Sequence, residues 1–152
     1  MVWSLTIPGE AVPKARPRAR IIPGQKFAHM YTPTRSARFE DRVAYIAQQA
    51  EIPVIEGPIG VEIHAFFAWP KAKLLKTGTR ARAWMPEKPD VDNLAKAVLD
   101  GLKAHFKDQQ VVRLVIMKYR QEQGLPPCTT VTIIPFVGAS VTSTATEWSH
   151  GG

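Results

Sequence analysis

Three aspartates and a lysine are the residues of this chain whose types and spacing could do chemistry together. Asp90 and Asp92 lie two apart in Pro89-Asp90-Val91-Asp92-Asn93-Leu94-Ala95-Lys96, and Asp108 follows in Lys107-Asp108-Gln109-Gln110-Val111. Carboxylates with no His or Cys beside them suit a hard divalent cation such as Mg²⁺ or Mn²⁺, which accepts few protein ligands and keeps waters for substrate and nucleophile. Lys96 stands one turn after Asp92. Such i,i+4 pairs are ordinarily surface salt bridges of about 0.3–0.5 kcal/mol, but here the lysine also points where a substrate phosphate would lie. Each acid alone has a blander explanation, because carboxylates at a helix start accept from free backbone N–H groups and complement the helix dipole. Only one residue can be the N-cap, however, so the pair is redundant as a cap. Asp108 is expected to join it from the start of the next strand.

Other chemistries fit less well. A calcium loop starting at Asp90 would place Leu94, Ala95 and Gly101 where Asp or Asn, Gly and Glu are needed. Paired carboxylates also serve glycosidases, but neutral sugars gain nothing from a basic surface. His29, His64, His105 and His150 have no metal-ligand spacing, and no nucleophile motif accompanies them. The chain lacks a glycine-rich phosphate loop, so no nucleotide cofactor is expected.

The chain has 152 residues, 45% of them hydrophobic, enough for one compact domain with a core. Twenty Lys and Arg against thirteen Asp and Glu give a net charge of +7 and a pI near 9.8, which favours a phosphate-rich partner such as nucleic acid. The single Cys128 excludes a disulfide framework and a Cys-rich zinc module, and points to a reducing cytoplasmic setting. Neither a membrane span nor a secretory signal is expected.

The elements that must position the acids follow from periodicity. Trp3, Leu5 and Ile7 alternate with polar residues as a strand that Pro8 and Gly9 stop. Lys14, Arg16, Arg18 and Arg20 recur at every second position between prolines, as an extended basic arm or edge strand. Phe39, Val43, Ile46 and Ala47 mark a helix from Thr34 to about Ala50, and residues 59–67 alternate as a second strand. Between Pro70 and Pro89 a long exposed loop carries Lys71, Lys73, Lys76, Arg80, Arg82 and Lys88. Trp69 and Trp84 at its ends could stack on bases, but are expected rather to pin the loop to the core. A second helix is expected over Asp92–Phe106, with Leu94, Val98 and Leu102 inward and Asn93, Lys96 and Asp100 outward. Residues 111–119 read as a central strand buried on both faces, and 129–134 as a last strand. The expected fold is α+β: one domain over 1–137, a mixed four- to five-stranded sheet with two main helices in the order β-α-β-α-β-β, then a flexible tail over 138–152.

Asp90-Val91-Asp92-Asn93-Leu94-Ala95-Lys96, Asp100-Gly101-Leu102 and Asp108-Gln109-Gln110-Val111 together resemble the signature of the RusA family of Holliday junction resolvases. That signature is Asp-x-Asp-Asn-Leu-x-Lys, an Asp-x-Leu one turn later, and an Asp-x-Gln-Val after the helix. Lys14-Ala15-Arg16-Pro17-Arg18 and Tyr31-Thr32-Pro33 are similar to its phage-type branch. The resemblance implies a homodimeric, Mg²⁺-dependent endodeoxyribonuclease that cuts four-way DNA junctions. By position it makes Asp90, Asp92 and Asp108 the metal-binding acids and Lys96 the basic catalytic residue, with Asn93 and Asp100 in support. Lys107 departs from the family, in which two successive acids are common there, so a weaker hold on metal or slower cutting is implied. The arm and the 71–88 loop would hold phosphates without reading sequence. Two rivals are a nuclease acting on flaps or forks and a non-catalytic DNA-binding protein whose acids merely cap a helix.

Overall fold

The computed structural model describes residues 1–15, 18–21, 23–24, 28–31 and 34–136. The expected tail over 138–152 and Arg16 lie outside the described residues. Alternation builds the first strand: β1 (Trp3–Pro8) buries Leu5 and Ile7 and leaves Ser4 and Thr6 outward. The backbone of the basic arm forms β2 (Arg18–Ile21), which pairs antiparallel with β3 (Ala28–Tyr31) in a separate two-stranded sheet. An extended arm was expected, but its partner strand was not. Next, α1 (Thr34–Gln49) buries Ser36, Phe39, Val43 and Ala47 at intervals of three and four, and β4 (Ile59–Phe67) buries Val61, Ile63, Ala65 and Phe67.

The basic loop is less structureless than expected. It contains a 3-10 turn at Lys71–Lys73 and a two-residue edge strand, β5 (Ala83–Trp84). Gln123 organises it: Oε1 accepts from the Leu75 and Arg80 amides at 3.1 and 3.2 Å, and Nε2 donates to the Leu75 carbonyl at 2.9 Å. Trp84 does not pin it, being 69% exposed, whereas Trp69 is half-buried with the Arg80 guanidinium 4.8 Å over its ring.

The second helix, α2 (Val91–Gly101), stops earlier than the expected Phe106. Leu102 and Phe106 are still buried, but through a turn whose His105 carbonyl accepts from the Ile55 amide at 2.7 Å. Helical spacing therefore outlasts the helix. After a 3-10 turn at Asp108–Gln110, β6 (Val111–Arg120) and β7 (Cys128–Pro135) complete the main sheet, whose order is β1-β7-β4-β6-β5. Among the described strands only β4 and β6 pair in parallel, so the expected mixed α+β architecture is present. The middle strand is β4, and both late strands have a neighbour on each side. β6 is not buried on both faces: Val112, Leu114 and Met117 are exposed, and Leu114 is so although its register partner Val61 is buried, because β5 pairs with Tyr119 and Arg120 alone and leaves this stretch at an open edge.

Both helices join the inward residues of β1, β4 and β7 in one core. Their crossing depends on Gly101, where an added Cβ would lie 2.6 Å from Val43 Cβ and 3.0 Å from the Glu40 carbonyl oxygen. Gly101→Ala gains about 1 kcal/mol of helix propensity, but overpacking against a main-chain oxygen cannot relax and costs about 1–3 kcal/mol. Urea unfolding should show a net loss for Gly101→Ala, partly recovered in Gly101→Ala/Val43→Ala; a more stable single variant would disprove the close crossing.

Candidate active site

The turn before α2 is built to present Asp90. Lys118, on β6, donates from Nζ to the carbonyls of Glu87 and of Pro89, the latter at 2.7 Å, and Met85 N–H donates to the Lys118 carbonyl at 3.2 Å. The Lys88–Pro89 bond is cis. Asp90 then occupies the N-cap with extended backbone (φ −73°, ψ 147°), and its carbonyl accepts the first helical bond from Leu94. Its side chain makes no capping hydrogen bond. Asp92 follows in the first turn, and both carboxylates are exposed. The capping explanation therefore fails on geometry for Asp90, while Asp92 keeps a position that complements the helix dipole.

Asp90 and Asn93 line a cleft of about 570 Å³ together with Lys14, Arg35, Lys88 and Arg120. The segment that leads toward the basic arm forms its other wall: Lys14 N–H donates to the Asn93 carbonyl at 2.9 Å and Ala15 N–H to Ser36 Oγ at 3.4 Å. Arg120 is held by the Ala68 carbonyl at 2.9 Å.

A chain of alternating charges runs along the outward face of α2. Lys96 Nζ lies 2.8 Å from Asp108 Oδ2 and 3.1 Å from Asp100 Oδ1. Asp100 Oδ2 lies 3.1 Å from Lys14 Nζ, which meets Glu40 Oε1 at 2.7 Å. Hydrogen bonding to Asp108, and then to Asp100, raises the Lys96 pKa above its ordinary value, and Glu40 does the same for Lys14. Partial burial works against ionisation of Asp100, but the two ammonium groups outweigh it and hold its carboxyl below the ordinary 3.8. The turn that carries Asp108 is held by Gln110, whose Oε1 accepts from Lys107 N–H at 2.8 Å and whose Nε2 donates to the Ile55 and Gly57 carbonyls at 2.8 and 3.0 Å.

Lys96, Asp100 and Asp108 are thus brought together, but the expected meeting of Asp108 with Asp90 and Asp92 is not seen. Among the described residues, no group of three or more His, Cys, Asp and Glu side chains could hold a metal ion. Topology gives the reason. Asp90 opens the 11-residue α2 and Asp108 lies beyond its far end, with a rise of about 1.5 Å per residue between them. The strand start expected to supply the third carboxylate belongs to the other end of the crossover.

The remaining basic residues divide. Lys71, Lys73, Lys76 and Lys88 are exposed, and Arg18 and Arg20 have their backbone in β2. Arg80 and Arg82 lie against aromatic rings, and Lys14 is engaged by carboxylates. Lys118, Glu40, Gln110, Arg35 and Arg120 were not singled out in sequence. Gln110 carried a signal as the Gln of the Asp-x-Gln motif; the others did not, since their partners are distant in sequence or are backbone carbonyls.

Two variants test this geometry. Because Asp90 caps nothing, Asp90→Ala should cost less than the ~1 kcal/mol typical of a lost N-cap; a larger loss in thermal unfolding would restore the capping role. Asp100→Asn should lower the Lys96 titration, followed by NMR of the lysine ammonium, toward its ordinary 10.5. Since the Asp100 pKa is depressed, its stabilisation is complete above the ordinary 3.8 and is lost as pH falls through the lower folded value. The parent should therefore lose stability in that acid window more steeply than Asp100→Asn, and superimposable acid limbs would show that the bridge carries no coupling.

Comparison with known proteins agrees with the motif. The family described as "Endodeoxyribonuclease RusA" matches residues 8–134. An uncharacterised protein of Bacillus subtilis (strain 168), YqaN, is 32% identical over 126 residues, which span 78% of this chain and 87% of that protein. No described helix is long and apolar enough to cross a membrane. The fold, the motif residues on α2 and the extent of the match place the chain in the RusA family of Holliday-junction-resolving endodeoxyribonucleases.

Proposed function

We propose that the chain resolves four-way DNA junctions by paired symmetric nicks, as a homodimer, with Mg²⁺ held at the mouth of α2. The observation that carries this reading is the Asp90 side chain, which stands at a helix N-cap without capping it, beside Asp92 and against a cleft lined by cations. The donor set fits a hard ion. Mg²⁺ is ordinarily bound through one or two carboxylates plus substrate phosphates and keeps several waters, so Asp90 and Asp92 suffice without a three-carboxylate cage. When bound, the ion supplies Lewis acidity and lowers the pKa of a coordinated water.

The side chains around it have distinct tasks. Asp108 enters through Lys96, whose ammonium it holds charged and oriented for the phosphate that is cut. Asp100 joins Lys96 to Lys14, which ties the segment leading into the basic arm to the same helix. Arg16, Arg18, Arg20, Lys71, Lys73, Lys76 and Lys88 supply phosphate contacts that fix register without reading sequence, with Arg80 and Arg82 at the end of the loop. Without metal, Asp90 and Asp92 repel the DNA backbone, so the ion strengthens binding as well as enabling cleavage. The substrate's two-fold symmetry calls for one site from each of two subunits.

Incubation with a synthetic four-way junction and Mg²⁺ tests the reading, beside a flap and a linear duplex. The parent should release symmetric nicked products from the junction. Asp92→Asn should retain binding and cut at least about 10²-fold more slowly, a loss at least as large as metal sites suffer when residues behind the ligands are replaced. Equal cutting by both proteins would remove the metal site from α2, and faster cutting of flaps would make the chain a flap nuclease.

A further inference from the structure

The face of the sheet turned away from the helices carries aromatic rings at strand spacing. Phe66 on β4 and Trp84 on β5 are both register partners of Tyr119 on β6. The ring centroids follow at 4.7 Å from Phe66 to Tyr119 and 4.9 Å from Tyr119 to Trp84, with planes tilted by 13° and 25°. Buried Ala65 and Phe67 flank Phe66 in β4, so the row lies on the outer face. It stops at Trp84 because no strand of the described residues lies beyond β5, and that indole is 69% exposed. A large apolar ring left this open contributes little to the core, and its free side is where a fourth ring would continue the stack.

A fixed cation flanks the row. The Arg82 guanidinium lies 4.5 Å over Phe66 and donates from Nη2 to Gln121 Oε1 at 3.1 Å, and Gln121 is itself buried. The loop that delivers Arg82 and Trp84 has Glu87 as its single acid between Pro70 and Pro89.

We propose that this row is a stacking platform for an unpaired DNA base, with Trp84 taking the base and Arg82 the adjoining phosphate. This inference rests on the reading of the chain as a DNA nuclease and adds to it a binding element separate from Asp90 and Asp92. Every nucleobase offers a π-face, so such a platform is tolerant of sequence, and a branched substrate opens bases where its arms meet. Charge selects nucleic acid over a second copy of this chain, because an identical face would set Arg82 and the lysine-rich loop against themselves.

The test titrates full-length protein with single-stranded oligothymidylate and with a four-way junction, in chelator, reading tryptophan emission and affinity. Saturation should quench the parent's emission. Trp84→Ala should lose that quenching and bind oligothymidylate about tenfold more weakly, at an unchanged salt slope because no phosphate contact is removed. Trp84→Phe, which keeps a stacking ring, should bind within about threefold of the parent. Thermal unfolding checks that each variant is folded. Equal affinity and quenching in Trp84→Ala, with junction binding intact, would overturn the platform and leave the nuclease reading standing. A dimer converted to monomer by Trp84→Ala would make the row a self-association surface and overturn it likewise. Failure of the parent to bind either DNA would remove both.

Discussion

The parallel pairing of β4 with β6 is the constraint from which the site follows. Parallel neighbours cannot be joined by a hairpin; the chain must leave one end of the sheet and return to the other, and α2 is that return. The helix therefore begins near the carboxyl ends of both strands, where open sheets with crossovers bind ligands. Lys118, near the end of β6, holds the Glu87 and Pro89 carbonyls, and Phe67, at the end of β4, lines the same cleft as Asp90. The same topology keeps Asp108 away from that mouth. One feature of the fold thus brings Lys88 and Arg120 to Asp90 and separates the third motif acid from it.

The alternating chain of Glu40, Lys14, Asp100, Lys96 and Asp108 is better understood as orientation than as stability. Lys96 and Asp108 are about half exposed, at 51% and 50%, where solvent screens an ion pair to a net worth of about 0–1 kcal/mol. Five groups held in sequence nevertheless restrict one another. Asp100 is shared by two lysines from different segments, so the segment leading into the basic arm and the lysine of the helix take their positions from one carboxylate. A phosphate approaching Lys96 would compete with Asp108 and Asp100 for the ammonium, which must stay protonated to attract it. Both carboxylates raise its pKa, which secures that charge.

Much of this was legible in the sequence where burial is one-sided. β1, α1, β4 and β7 fall within a residue or so of expectation because each has one inward stripe whose period matches its geometry. The errors share a cause. Residues 111–119 are apolar enough to suggest burial on both faces, yet exposure there is set by how few neighbours the sheet edge supplies, which composition does not record. Leu102 and Phe106 keep helical spacing through a turn because the core selects for apolar side chains and not for helical backbone. In the site, Lys96 and Asp100 were visible as an i,i+4 pair, whereas Glu40 and Lys118 act on partners 26 and about 30 positions away. Trp84 misled because tryptophan is usually well buried, and here the edge strand leaves it outside.

Local rules are broken at the mouth of α2, which is itself an argument about the site. A helix N-cap residue able to accept a backbone hydrogen bond leaves it unmade at Asp90. A lysine on the penultimate part of a sheet strand turns its ammonium onto main-chain carbonyls at Lys118, fixing a turn that has little core of its own. Four cationic side chains line the cleft that Asp90 enters. The elements that carry this mouth are regular: β1, β4 and β7 bury alternate residues, the helices bury one stripe, and Gly101 allows them to meet. An unmade cap beside a row of cations is what a site held ready for a charged partner produces, since the interactions foregone in the free protein become available to the ligand. The cleft's cations suit the phosphate, and the uncapped carboxylate suits the ion that accompanies it.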